Sequence, residues 1–184
     1  MRRTAERLMD LAERRMREAG YHGFSFRDLA AEIGIKSASV HHHFPTKAEM
    51  VIAIMHRHNE RFAELVTPKV GETPADVVQA YRNAFRRSLT EKGGMCLNGL
   101  FGAESGGLPP ELLTQVEQFF VSAAADLAKR IGGPDAETRA FAILALLEGA
   151  LILARAHGDV AAFDKATADL AAAEDDERTR KVAA

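Results

Sequence analysis

Three consecutive imidazoles, His41, His42 and His43, stand in the stretch GIKSASVHHHFPTK, the densest run of chemically versatile side chains in the sequence. Near neutral pH an imidazole binds metal, moves protons, or donates and accepts hydrogen bonds. Metal binding fails on geometry. Successive helical residues point about 100° apart, so three in a row do not converge on one ion. Helical ligand pairs stand three or four apart, and no acid or cysteine completes that spacing here. His56 and His58, two apart, fail the same test. No metal and no cofactor is expected, and a metal-responsive protein using His22, His56 or His58 is only a third alternative.

Catalysis finds no better footing. The chain has no glycine-rich phosphate loop, no GxSxG and no local Cys/His signature, so no enzyme is expected. Glu148 interrupts the apolar run AFAILALLEGALILARA at residues 140 to 156. Such a carboxyl is a base with a raised pKa, a satisfied buried acid, or a polar contact in a pocket. A membrane span needs about 20 apolar residues with few charges. The run is read as a buried helix or a helix–helix interface. The single Cys96 excludes an intrachain disulfide, and MRRTAERLMDLAERR is charged throughout, unlike a secretory signal. The expected location is the cytoplasm.

The elements that position these residues all read as helix. Ala5, Leu8, Met9, Ala12, Met16 and Ala19 share one face of a first helix, which Gly20 ends. Ser25 with Asp28 is a capping box for a two-turn helix whose face is Phe26, Leu29, Ala30 and Ile33. Gly34 closes it. Ser37 is expected to cap the next short helix, which buries Val40 and Phe44 before Pro45 breaks it. Thr46 with Glu49 opens a fourth helix whose inner face is Met50, Ile54, His58, Phe62 and Leu65. Further helices are expected from Thr73, over an irregular stretch between 93 and 110, from Pro110, from an Asp135 cap to His157, and from an Asp159 cap to about 173. No strand-period segment appears. The fold class is all-α, with about nine helices: a three-helix unit at 1–47, a larger helical body at 48–174 and a frayed tail at 175–184.

Charge divides the same way. Residues 1–47 hold nine Lys/Arg against six Asp/Glu, leaving fifteen against twenty for the rest. A basic head on an acidic body points to a polyanionic partner for the head. Two short helices joined by a tight glycine turn form a helix-turn-helix. Its second helix turns Ser37, Ser39, His41, His42 and His43 outward around a minimal buried pair. Hydroxyls and imidazoles bond to base edges and phosphates, and Lys36 and Lys47 bracket the face with positive charge. The helix starts at Ser25 and Thr46 add backbone N–H groups for anions. The opening stretch therefore reads as a DNA-facing surface.

The segment FSFRDLAAEIGIKSASVHHHFPTKAEM resembles the DNA-binding region of the tetracycline-repressor (TetR) family of bacterial one-component regulators. The likeness covers residues 4–55, from a first helix ending in AGY to HHFPTK at the entry to the fourth helix. Members commonly carry Tyr at the place of His41 and a Ser-Lys-Gly turn at the place of Lys36-Ser37-Ala38. The resemblance implies a homodimer on a palindromic double-stranded DNA operator, a repressor released by a small apolar or amphipathic effector. It assigns base reading to Lys36, Ser37, Ala38, Ser39 and His41, phosphate and groove contacts to His42, His43 and Lys47, and a phosphate contact to Ser25. It places dimerisation on helices 135–157 and 159–173, where Ala and Gly at 142, 145, 149, 150 and 154 allow close backbone approach. Part of the aromatic set Phe62, Tyr81, Phe85, Phe101, Phe119 and Phe120 would line a ligand cavity with Cys96 and Glu148; otherwise that set is core. Two alternatives stand beside this reading. One is a regulator that senses oxidants or electrophiles through Cys96, and the other a helical small-molecule-binding protein with no DNA role.

Overall fold

The computed structural model describes residues 2–92 and 94–170, and all regular structure within them is helical. The α-helices are α1 (Arg2–Ala19), α2 (Phe26–Ile33), α3 (Ser37–His43), α4 (Lys47–Leu65), α5 (Pro74–Lys92), α6 (Leu97–Ala103), α7 (Pro110–Ile131), α8 (Ala136–His157) and α9 (Ala161–Ala166). Single 3-10 turns cover Tyr21–Gly23 and Ser105–Gly107. The tail expected over 175–184 and the end of the 159–173 helix lie outside the described residues.

Local chemistry sets several boundaries as expected. The Ser25 hydroxyl accepts the Asp28 N–H at 3.2 Å while the Asp28 carboxylate accepts the Ser25 N–H at 2.9 Å, a complete capping box. Thr73 and Asp76 repeat the arrangement at α5, at 3.2 and 2.9 Å. Gly34 ends α2 in the left-handed region at φ 73°, its N–H turned back to the Ala30 and Ala31 carbonyls. That conformation costs an L-residue roughly 1 kcal/mol or more, so Gly34→Ala is expected to lower stability by about that amount in urea melts.

Two caps depart from expectation. Lys36, not Ser37, is the N-cap of α3, and it makes no side-chain cap bond. Ser37 is already helical, which carries its hydroxyl outward instead of back onto the turn. Asp135 precedes α8 with φ −104° and ψ 21°, outside the extended region a capping side chain needs, and bonds nothing there. The last helix, α9, is also short: its described helical residues end at Ala166.

The chain divides into two compact units, Met1–Glu60 with Leu97–Gln118, and Arg61–Cys96 with Phe119–Ala184. The first unit takes in more than the head expected at 1–47. Here α1, α2 and α3 pack on one another around Leu8, Leu11, Ala12, Met16, Leu29, Ala30 and Val40, with Met50, Val51, Ile54 and Met55 of α4 also buried. Polar bonds bring 97–118 in: Glu104 accepts the Tyr21 N–H at 2.9 Å, and buried Asn98 donates to Asn59 at 2.9 Å. Glu13 and Arg17 of α1 are buried as a pair at 2.9 Å, and Arg57 of α4 reaches Glu13 and Asp10, each at 2.8 Å.

In the second unit, α8 packs on α5 and α9. A buried guanidinium closes its loops: Arg130 donates to Glu72 at 2.7 and 2.9 Å, to Asp126 at 2.8 Å and to the Val66 carbonyl at 2.7 Å. The Tyr81 hydroxyl donates to the same Asp126 at 2.8 Å. Glu72 and Asp126 keep contact with solvent, so removing the guanidinium they share is expected to cost about 1–3 kcal/mol, the worth of its charge-assisted hydrogen bonds. Arg130→Ala should show that loss in denaturant unfolding, well beyond the effect at exposed Arg87.

Candidate functional site

The face proposed from sequence is present on α3. Lys36, Ser37, Ala38, Ser39, His41 and His42 are exposed, His43 is half-buried, and Val40 and Phe44 are buried beneath them. Buried Val40 anchors seven helical residues, which leaves a short helix with nearly all its polar groups turned to solvent. His41 stands edge-on to Phe26 with ring centroids 5.0 Å apart, its Nδ1 3.3 Å from the Pro45 carbonyl. His42 and His43 rings lie 5.6 Å apart in a T arrangement. Among the described residues no three His, Cys, Asp or Glu side chains gather in a metal-binding group. This surface holds donors, acceptors, a methyl group on Ala38 and the cation of Lys36, the repertoire that reads base edges and phosphates.

Two of the expected contact residues are also engaged inside the unit. The Ser25 hydroxyl donates to Asp28 at 2.6 Å and the Ser25 N–H to the same carboxylate at 2.9 Å, so both of its donors serve the α2 cap. Lys47, on the first turn of α4, donates to the Phe24 carbonyl at 2.6 Å, with Nζ 4.7 Å from the Tyr21 ring centroid and 4.3 Å from that of Phe24. Partial burial pulls its pKa down, partly offset by Asp28. This lysine clasps the turn between α1 and α2 to the start of α4. The sequence signal for that role was the aromatic pair Tyr21 and Phe24 ahead of Ser25.

In the second unit the rings form a cluster around half-buried Phe62. Its centroid lies 5.6 Å from Tyr81, 5.6 Å from Phe85 and 5.1 Å from Phe119, and Phe119 stands 5.3 Å from Phe120. Cys96 is buried in the same core cluster. Phe101 belongs to the other unit, where its ring meets Tyr21 at 6.5 Å. Phe119 therefore holds a more central place among the rings than its neighbour Phe120. Glu148 is half-buried as a residue, yet both carboxylate oxygens are out of contact with solvent, with the Cys96 thiol as the donor beside them. Burial raises its pKa to about 7, with the neighbouring Cys96 thiol drawing it back a little.

Helix α8 has two apolar faces. Ala140, Ile143, Leu144, Leu147, Ala150, Leu151 and Ala154 are buried, whereas Phe141, Leu146, Ile152 and Leu153 are 56%, 40%, 52% and 49% exposed. Val121 of α7 is exposed as well. By contrast α9 turns inward: Phe163 and Thr167 are buried, and Asp164 binds Arg82 at 2.9 Å and Arg86 at 2.8 Å.

Comparison with known proteins bears on both units. Residues 8–54 match the model of bacterial regulatory proteins of the tetR family, and residues 74–169 match the C-terminal domain of LmrA/YxaF-like transcriptional regulators. A TetR transcriptional regulator of known structure from Legionella pneumophila is 27% identical, covers 94% of this chain and 95% of its own, and superposes with a TM-score of 0.80. A TetR-family transcriptional regulator from Agrobacterium tumefaciens is 25% identical over 92% of this chain and 96% of its own, with a TM-score of 0.82. The fold is also that of a TetR transcriptional regulator from Chloroflexus aurantiacus, 23% identical over 93% of each chain, with a TM-score of 0.79. No curated protein sequence matches. A helix-turn-helix with an outward polar face, a helical body, and two family matches that together span most of the chain lead to one conclusion: the chain belongs to the tetR family of bacterial regulatory proteins, ligand-responsive DNA-binding transcriptional regulators, with a C-terminal domain of the LmrA/YxaF-like kind.

Proposed function

We propose that this regulator is a cytoplasmic homodimeric repressor that grips a palindromic operator through α3 and lets go when a small amphipathic effector enters the second unit. The observation that carries the DNA reading is the α3 face, with Ser37, Ser39, His41 and His42 exposed over buried Val40. Lys36, Ala38 and half-buried His43 extend it. Lys47 takes a double role, holding the α1–α2 turn while offering its remaining ammonium hydrogens to phosphate; Ser25 reaches phosphate only by releasing its hydroxyl from Asp28. The effector reading rests on the ring cluster of Phe62, Tyr81, Phe85 and Phe119, flanked by Phe120, Cys96 and Glu148. Family members act as regulators, not as enzymes, and none of this chemistry calls for a cofactor.

Dimerisation is proposed on the second apolar face of α8. Four large apolar side chains there are about half exposed, and covering each is worth roughly 1–2 kcal/mol at this partial burial. Ala142, Ala145 and Gly149 on the same helix let a second backbone approach closely. The α9 part of the expected interface contributes less, because its apolar side faces α5 and α8. Leu146→Glu with Ile152→Glu is expected to turn the dimer into a monomer in sedimentation equilibrium at micromolar concentration. A dimer retained by that variant would place the interface elsewhere.

Selection of genomic fragments by the purified protein, at two salt concentrations, tests the function. One or a few sites with two-fold symmetric half-sites are expected to survive the higher salt. Uniform recovery that fades with salt would mean non-specific attraction to phosphate alone.

A further inference from the structure

We infer that Glu148 is the polar anchor of the effector site and that the effector is a small organic amine: a protonated nitrogen that docks on this carboxylate, attached to an apolar or aromatic body. The inference rests on the ligand-responsive reading above and adds the chemical class.

The geometry starts from an imbalance. A buried polar group in a native structure has a partner, and each exception asks for an explanation. Both Glu148 oxygens are shielded from solvent, and the donor beside them is a thiol, that of Cys96. The Cys96 thiol beside it is a weak donor, too poor to replace the water the carboxylate gave up. Other carboxylates of the same unit, although more exposed, do face cations. Arg130 has Glu72 and Asp126, and Asp164 has Arg82 and Arg86. Glu148 alone among these carboxylates is held in an apolar run with no cation opposite.

The core next to Cys96 is apolar and partly aromatic. Cys96 belongs to the core cluster that contains Tyr81, Phe85 and Phe119, with Phe62 packed against it. Aromatic faces attract cations as well as apolar groups. The ionised carboxylate repels an anion and gains only a single neutral hydrogen bond from an alcohol, whereas an ammonium compensates its charge. Near neutral pH part of the Glu148 population is protonated in the free protein. Docking an ammonium holds it ionised, so the carboxyl proton passes to solvent as the ligand enters, and binding weakens as pH falls below about 7.

The test uses the full-length protein and three matched probes: phenethylamine, phenethyl alcohol and 3-phenylpropionate. Binding is followed by calorimetry at pH 6, 7 and 8 in two buffers of different ionisation enthalpy, for the natural protein and for Glu148→Gln. Phenethylamine is expected to bind at least tenfold more tightly than the other two, with proton release at pH 7. In Glu148→Gln that preference and the proton release both disappear. Glu148→Asp, which keeps the charge, should retain the preference at reduced affinity. Equal ranking of the probes in natural and Glu148→Gln protein, a preference for the carboxylate, or no amine binding at millimolar concentration would each overturn the inference. Fragment selection run on the same preparations separates the two readings. Palindromic sites recovered without amine preference would overturn the effector class alone, and amine preference without specific sites would overturn the operator reading alone.

Discussion

Replacing Ser39 and His42 together by glutamate is expected to abolish specific operator binding while leaving the fold intact. Both side chains are exposed on α3, and neither belongs to the buried set under that helix. A lost base-edge contact costs about 1–3 kcal/mol, and two new carboxylates against phosphates add repulsion. A loss of about 3 kcal/mol or more, roughly a hundredfold or greater, should appear in fluorescence anisotropy with an operator duplex. Thermal unfolding of the free protein should move little. The neutral pair Ser39→Ala with His42→Ala separates contact from repulsion and should still cost at least tenfold. Lys47→Ala carries a different signature. That ammonium holds the Phe24 carbonyl at 2.6 Å between two aromatic rings, so its removal should lower both stability and affinity, the latter by a similar factor on all DNA sequences. A Ser39/His42 glutamate variant with unchanged operator affinity would remove α3 from the interface.

The second large effect is a pH-dependent stabilisation by Glu148→Gln. In the unfolded chain this carboxyl titrates near the ordinary glutamate value of 4.5; in the folded chain burial lifts it to about 7. The folded state therefore holds a proton that the unfolded state releases. The stability this gives is fully present below about pH 4.5 and is lost as pH rises to about 7. Above that, the native core carries the buried charge at a cost on the order of 3 kcal/mol. Glutamine never ionises, so the variant lacks this slope. Its unfolding temperature is expected to match the natural protein near pH 5, within the difference between carboxyl and amide, and to exceed it by about 5–10 °C at pH 8. Parallel curves for the two proteins from pH 5 to pH 8 would show that Glu148 is not titrating in the core.

Features carried by local chemistry were legible in the sequence. The glycine at 34, the Ser25–Asp28 and Thr73–Asp76 boxes and the periodic apolar faces act within a few residues, and they set helices where expected. The outward face of α3 followed from one count, since two apolar residues are too few for a core helix. Features that depend on distant partners were not legible. The bond from Tyr21 N–H to Glu104, which helps group 97–118 with the first unit, spans 83 residues. The burial of the Glu13–Arg17 pair depends on packing and on Arg57 of α4, 44 residues from Glu13, which no local pattern announces. Caps at Ser37 and Asp135 failed because a cap requires extended backbone, and the incoming turn decides that. Lys47 read as a phosphate contact, since nothing in its own helix reveals the carbonyl of Phe24. For Glu148 the charge inside an apolar run was visible, but only packing showed that both oxygens are shut off from solvent beside a weak thiol donor.

The central claim, that the exposed face of α3 reads a two-fold operator, is tested most directly by hydroxyl-radical footprinting of a recovered site with the natural protein and the Ser39/His42 glutamate variant. A dimer that places two such helices in the major groove should protect two symmetric half-sites about one helical turn or a multiple of it apart. The variant should leave the same DNA unprotected at equal concentration. Identical protection by both proteins, or diffuse protection that vanishes at moderate salt, would contradict the account.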